Sequence, residues 1–253
     1  MLIVGYVLAV LVGLSLGLLG GGGSILTVPI LHYVMGMGAQ EAIASSLVVV
    51  ALTSLVGLIP HWRQKRVSWS VGLPFGLASM VGAFVGGWTA QYIPGFVLMI
   101  LFAVIMIATS VTMIRGKKSR REVEPGPPKL WVSALLGAGV GAVTGLVGAG
   151  GGFLIVPALV IFGGLPIHLA IGTSLLTIVL KNAAALGGHI AAVSINWPVT
   201  LAFTAIAIVG SFFGARLVSR IRPDTLRIGF GWFVLIMGIV VIGTEIAGLI
   251  GSV

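Results

Sequence analysis

The chain has 253 residues, of which 58% are hydrophobic and only 8% are charged. A soluble domain carries roughly 25% charged residues, so this composition excludes a soluble enzyme, a secreted disulfide scaffold and a disordered chain. It indicates an integral membrane protein. The apolar runs are continuous and far longer than about ten residues, which excludes the alternating strands of a membrane β-barrel. The sequence contains no cysteine, which excludes disulfides and thiol chemistry.

The chain divides into apolar elements that we predict to be helices, because backbone in lipid must satisfy its own hydrogen bonds. In the first half the predicted elements are 2–35, 39–60, 67–92 and 94–114. In the second half they are 131–163, 167–188, 195–219 and 225–250. Glycines interrupt the first element of each half. The predicted fold class is therefore an all-α integral membrane protein with about four hydrophobic elements in each half.

The two halves repeat one pattern at an offset of 128 residues. GLLGGGGSILTVPIL (17–31) aligns without a gap on GLVGAGGGFLIVPAL (145–159), with 9 of 15 positions identical. The same offset pairs His61 with His189, Trp69 with Trp197, Gly82 with Gly210 and Gly86 with Gly214. We predict two homologous transmembrane repeats, 1–114 and 130–253, joined by a polar cytoplasmic linker, 115–129.

The positions of Lys and Arg bear on the membrane topology. Three lie in 63–66, six in 115–129 and four in 216–227. If each glycine-interrupted element crosses the membrane once, the repeats are parallel and the last group faces outside. If each element enters and returns, as a re-entrant hairpin or as two short spans, the repeats are inverted and all three groups face the cytoplasm. The positive-inside rule favours the inverted arrangement.

The glycine interruptions are the main candidates for a binding site. Consecutive glycines are poor helix formers, so the helix is predicted to break there and to restart near Ser24 in the first copy and near Gly152 or Phe153 in the second. A helix N-terminus offers unpaired N–H groups and partial positive charge, which suits an anion. The alternative is that the glycines only allow helices to pack closely.

Lys181 is the one basic residue inside an apolar run, where an ionisable group is costly and is functional by default. It is a candidate counter-ion for an anion, and snorkelling to the interface is the alternative. Ser174, Thr177 and Lys181 share one helix face, although such hydroxyls also bond carbonyls of their own helix. The candidate substrate-binding residues are Gly20, Gly21, Gly22, Gly23, Ser24, Ser45, Ser46, Gly150, Gly151, Gly152, Thr173, Ser174, Thr177 and Lys181.

The two glycine–proline segments, followed by AIASSL and AIGTSL, resemble the sulfite exporter TauE/SafE family over essentially the whole chain. The resemblance implies a permease of two homologous halves in the inner or plasma membrane of a prokaryote. It also implies transport of a sulfur oxyanion or sulfonate. The glycine segments and the small polar residues after them match the family by position, whereas Lys181 is a candidate from this sequence alone.

We therefore expect a secondary carrier for a small sulfur-containing anion such as sulfite, thiosulfate or an organosulfonate, bound between the repeats near the bilayer centre. An anion channel or facilitator with the same site is the alternative. No nucleophile–base pair or metal cluster has the spacing that an intramembrane enzyme needs, so catalysis is not expected. The expected partners are the anion and the lipid bilayer; we expect neither a cofactor, nor a metal, nor a nucleic-acid partner.

Overall fold

The computed structural model describes residues 2–19, 25–115, 130–148, 151–161, 163–189, 193–217 and 223–251. Within these residues every regular element is a helix, so the predicted all-α fold class is confirmed. The elements are α1 (Leu2–Leu19), α2 (Thr27–Pro29), the π-helix π1 (Ile30–Val34), α3 (Ala39–Arg63), α4 (Trp69–Ala90), α5 (Gly95–Arg115), α6 (Leu130–Val147), α7 (Gly152–Ile161), α8 (Ile167–His189), α9 (Trp197–Leu217) and α10 (Pro223–Gly251).

The helices have the dimensions of membrane spans. Four stretches of the described chain are long and apolar enough to cross a bilayer: Ala39–Arg63, Trp69–Ala90, Leu169–His189 and Trp197–Gly214. Large apolar side chains cover the outer faces of the helices, among them Val81 on α4, which is 67% exposed, and Phe213 on α9, which is 57% exposed. Such faces are unfavourable in water and favourable against lipid tails. The protein is therefore a multi-pass membrane protein.

Exposed aromatic residues mark the two ends of the bundle. Trp69 opens α4 and Trp131 lies in the first turn of the neighbouring α6, at the same end. Trp88 and Tyr92 lie where α4 finishes, at the opposite end, and their rings pack edge to face with centroids 5.7 Å apart. Amphipathic aromatic rings prefer the headgroup level, so these residues indicate the two membrane surfaces.

Helices from opposite halves of the chain pack most closely. The first helix of residues 1–114, α1, packs along α9, and α6 packs along α4. In addition, α3 packs against α8 and α5 against α10. Gly172 at the start of α8 lies against His61 near the end of α3, and Gly57 lies against Leu175, so α3 and α8 run antiparallel.

Glycines allow two of these helix pairs to approach at backbone distance. Gly210 of α9 lies against the backbone of Val10, and Gly214 lies against Leu14 further along α1. The pair α4 and α6 makes the corresponding contacts: Gly82 with Ala138, and Gly86 with Ala142. The two sets of contacts correspond at the offset of 128 residues found in the sequence. The contact of Gly82 with Ala138 corresponds to that of Gly210 with Val10, and the contact of Gly86 with Ala142 to that of Gly214 with Leu14. Small residues are the usual means of close helix packing in membranes.

Candidate anion-binding site

The helix is interrupted between α6, which ends at Val147, and α7, which begins at Gly152. Gly148 has φ +68° and Gly151 has φ +70°, a backbone conformation that glycine adopts without the steric cost of a Cβ atom. The space at Gly148 also requires glycine, since a Cβ atom there would lie 2.7 Å from Cγ2 of Ile43 on α3. The predicted break in the second copy is therefore confirmed, and α7 restarts at Gly152 as predicted.

The N-terminus of α7 faces into the bundle. The N–H groups of Leu154 and Ile155 both bond the carbonyl oxygen of Gly151, at 3.0 and 2.9 Å. These are the first bonds of the helix, so the N–H groups of Gly152 and Phe153 precede the intrahelical ladder. They carry the partial positive charge of the helix end.

Lys181 places its amine against this helix end. A Cβ atom on Gly151 would lie 3.1 Å from Nζ and 3.0 Å from Cε of Lys181, and 2.8 Å from Cγ2 of Thr144 on α6. The side chain of Lys181 is 0% exposed and lies about eight residues, or about 12 Å, before the end of α8 at His189. The amine therefore points into the protein, and the snorkelling alternative is wrong.

Lys181 and Asn182 meet at their tips. Nζ of Lys181 donates to Oδ1 of Asn182 at 2.8 Å. Adjacent helix positions diverge by about 100°, which predicts that the two side chains point to different places; this expectation is wrong because the flexible four-carbon stem of lysine bends towards its neighbour. Nδ2 of Asn182 is buried and finds no hydrogen-bond partner in the part of the chain that the structure describes. Within the described part of the chain, no carboxylate lies within ion-pair distance of Lys181.

Ser46 holds the break from the other side. Its hydroxyl, which is 0% exposed, contacts the carbonyl oxygens of Gly148 and Ile43, each at 2.7 Å. Ser46 thus ties α3 to the turn and occupies one of the carbonyl groups that the turn frees. Ser45 faces elsewhere and accepts from the hydroxyl of Thr200 on α9 at 3.1 Å.

The described contacts of the other predicted hydroxyls lie within α8 or join it to the start of α4. Thr173 accepts from the N–H group of Ser68 at 2.9 Å, at the start of α4. Thr177 donates to the carbonyl of Thr173 at 3.1 Å, and Ser174 donates to that of Ile171 at 2.7 Å. Of the three residues that share one helix face, Ser174, Thr177 and Lys181, the described contacts bring only Lys181 to Gly151. The contacts of Ser174 and Thr177 agree with the alternative in which hydroxyls bond carbonyls of their own helix, whereas Thr173 bonds the start of α4.

The first copy of the glycine segment, Gly20 to Ser24, lies outside the described residues, and so does Gly150. Thr27, three residues after Ser24, is fully buried, and no described residue forms a hydrogen bond with its hydroxyl. His189 bonds the carbonyl of Gly145 through Nε2 at 3.1 Å, which joins α8 to α6. Thr144 and Asn182 are absent from the predicted set. The sequence signal for Asn182 was its position beside a lysine in an apolar run.

Comparison with known proteins supports a membrane transporter. The model of the sulfite exporter TauE/SafE family matches residues 6–241. The chain belongs to the sulfite exporter TauE/SafE family. A probable membrane transporter protein of Xylella fastidiosa (strain Temecula1) is 34% identical over 246 residues, which cover 95% of this chain and 94% of the relative.

More distant TauE/SafE relatives also align over nearly their whole length. A probable membrane transporter protein of Methanocaldococcus jannaschii is 28% identical, over 92% of this chain and 93% of its own. A probable membrane transporter protein of Bacillus subtilis is 27% identical, over 94% of both chains. No solved structure matches the chain. Family membership and the apolar helices together assign the protein to the membrane transporters.

Proposed function

We propose that the protein is a secondary carrier for a small sulfur-containing anion such as sulfite, thiosulfate or an organosulfonate. The single observation that carries this proposal is the fully buried amine of Lys181 beside Gly151, where α7 begins. Membership of the TauE/SafE family supports the choice of a sulfur oxyanion. The relatives span a bacterium and an archaeon, which supports a prokaryotic inner or plasma membrane.

Electrostatics supports an anion as the partner of Lys181. An ammonium group removed from water costs several kcal/mol unless an opposite charge or hydrogen bonds compensate it. Its described partner is the neutral amide of Asn182. The N–H groups of Gly152 and Phe153 add partial positive charge to the same place. A bound anion satisfies both groups at once, and no fixed carboxylate is needed.

The helix directions support inverted repeats. We propose that α3 and α8, which correspond at the offset of 128 residues and run antiparallel, cross the membrane in opposite directions. The ends of α3 and α9 and the linker 115–129 then share one side of the membrane with most of the Lys and Arg residues, as the positive-inside rule requires. Rocking of one repeat against the other would open the site alternately to each side.

The test of the proposed function is anion binding to the purified full-length protein. At an anion concentration of 100 Kd, binding raises the free energy of unfolding by about 2.7 kcal/mol. Thiosulfate, sulfite and methanesulfonate are expected to raise the unfolding temperature, and chloride at equal ionic strength is not. Lys181→Met keeps the approximate length and the apolar stem of the side chain but removes its positive charge. The rise in unfolding temperature caused by the anion is therefore expected to disappear.

The matched control is Lys65→Gln, which removes one positive charge in the exposed loop between α3 and α4 and is expected to leave the shift unchanged. An equal shift in wild type and Lys181→Met would refute the role of Lys181. Uptake of radiolabelled thiosulfate into proteoliposomes then separates a carrier from a channel. Flux that saturates and exchanges with internal anion indicates a carrier, whereas conductance without saturation indicates a channel.

A further inference from the structure

The described polar atoms around Gly151 include more unpaired hydrogen-bond donors than unpaired acceptors. Nζ of Lys181 and the N–H groups that open α7 only donate hydrogen bonds. Oδ1 of Asn182 already accepts from Lys181 at 2.8 Å. Nδ2 of the same amide carries two N–H donors, is buried, and has no hydrogen-bond partner among the described residues.

Each acceptor described near the break has at least one hydrogen-bond partner. Among the described residues, the carbonyl of Gly145 is paired with His189, that of Gly148 with Ser46, and that of Gly151 with two N–H groups of α7. The hydroxyl of Thr144 donates to its own helix at 2.7 Å, and its methyl group is the part that faces Gly151. A ligand at this position therefore meets unpaired donors and the methyl group of Thr144, while each described acceptor named above already has a partner.

We propose that this donor-only environment, completed by Nδ2 of Asn182, selects oxyanions that carry no proton on oxygen. This inference rests on the proposed function and adds to it a rule of selectivity. Thiosulfate and sulfonates accept hydrogen bonds through every oxygen. Hydrogen phosphate and bicarbonate each bring one O–H group, which needs an acceptor when it is buried. A buried donor left without an acceptor costs enough to weaken binding by about tenfold or more.

Asn182 has two functions in this arrangement. Its Oδ1 fixes the amine of Lys181 beside Gly151, and its Nδ2 donates to the anion. Asn182→Asp exchanges the free donor for an acceptor oxygen with negative charge, on an otherwise similar shape. We expect this variant to bind all oxyanions more weakly. The loss is expected to be larger for unprotonated anions than for hydrogen phosphate, whose O–H group gains an acceptor.

The experiment compares two anions of nearly equal shape at one pH. Monofluorophosphate is a dianion without an O–H group, and hydrogen phosphate is the same unit with hydroxyl in place of fluorine. Calorimetric titration of the wild-type protein is expected to give at least tenfold tighter binding of monofluorophosphate, with thiosulfate as the reference anion. In Asn182→Asp the ratio is expected to fall towards one. Asn196→Asp makes the same chemical change at an exposed position before α9 and is expected to keep the wild-type ratio.

The outcomes separate the two proposals. Equal affinities of the wild-type protein for monofluorophosphate and hydrogen phosphate would overturn the selectivity rule and leave the anion carrier standing. A wild-type ratio that persists in Asn182→Asp would overturn the role of Asn182. If the wild-type protein binds none of the three anions, the proposed function fails and the selectivity rule fails with it. The wild-type comparison needs no variant, so it holds even if Asn182→Asp does not fold.

Discussion

Replacing Gly141 by alanine tests the close packing of α6 on α4. A Cβ atom on Gly141 would overlap the carbonyl oxygen of Ser79 and lie 2.8 Å from its Cα atom. Carbon atoms in contact are about 3.5–4.0 Å apart, so the two backbones must separate by roughly 1 Å. Both sides of the contact are helix backbone, which cannot rotate away as a side chain can. Overpacking of this kind costs about 3 kcal/mol at the upper end of its range.

Alanine also returns some stability, because it is the better helix former by about 1 kcal/mol. The expected net loss is therefore about 2 kcal/mol, which lowers the unfolding temperature by about 4–8 °C in a chain of this size. Thermal unfolding in detergent, followed by tryptophan fluorescence, measures the change. Gly139→Ala is the control: it lies on the same helix with no atom within 4 Å of the added Cβ atom. Its unfolding temperature is expected to stay level or rise, and equal behaviour of the two variants would refute the reasoning.

Three further results are expected. Ser46→Ala loses the buried bond to Gly148 and is expected to lower the free energy of unfolding by about 1 kcal/mol, measured by denaturant titration. Tyr33→Phe loses the 2.8 Å bond from the hydroxyl to the Glu245 carboxylate, between π1 and α10, and is expected to lose about 2 kcal/mol in the same assay. Single cysteines at Gln64 and Arg220 are expected to react with an impermeant maleimide from the same side of the membrane.

Matched variants control these measurements. Ser70→Ala and Tyr92→Phe remove the same groups from exposed positions of the bundle, so each is expected to change the stability by less than about 0.5 kcal/mol. A cysteine at Ser194, in the loop between α8 and α9, is expected to react from the side opposite to Gln64. If the cysteines that replace Gln64 and Arg220 react from opposite sides of the membrane, the result would instead indicate parallel repeats.

Local chemistry made most helix boundaries predictable. The predicted element 94–114 corresponds to α5, Gly95–Arg115, because Pro94 cannot continue a helix from before it and suits its start. The last element was predicted from 225, whereas α10 begins at Pro223. Proline in the first helical turn loses no hydrogen bond, so it marks the start of the helix and not a position before it. The break between α6 and α7 was predictable because consecutive glycines are poor helix formers.

Side-chain orientations and contacts between distant parts of the chain were not predictable. The bond between Lys181 and Asn182 depends on side-chain torsions that the helical periodicity does not determine. The pairing of α1 with α9 depends on which glycine-lined faces meet in three dimensions, and the sequence offers several such faces. Thr144 joins the site because the end of α6 lies beside Gly151, where Cγ2 of Thr144 comes within 2.8 Å of a Cβ atom added to Gly151.

The exchange of helices between the halves has a consequence for biosynthesis. Translation of α1 precedes that of α9 by almost two hundred residues, yet each supplies the surface on which the other packs. Non-local pairing of this kind slows folding because the intervening chain must be ordered first. The glycine-lined side of α1 therefore meets lipid or the insertion machinery until the ribosome has nearly finished. Quality control and misassembly therefore compete for this protein at the stage when its amino-terminal helices have been inserted and α9 has not yet been made.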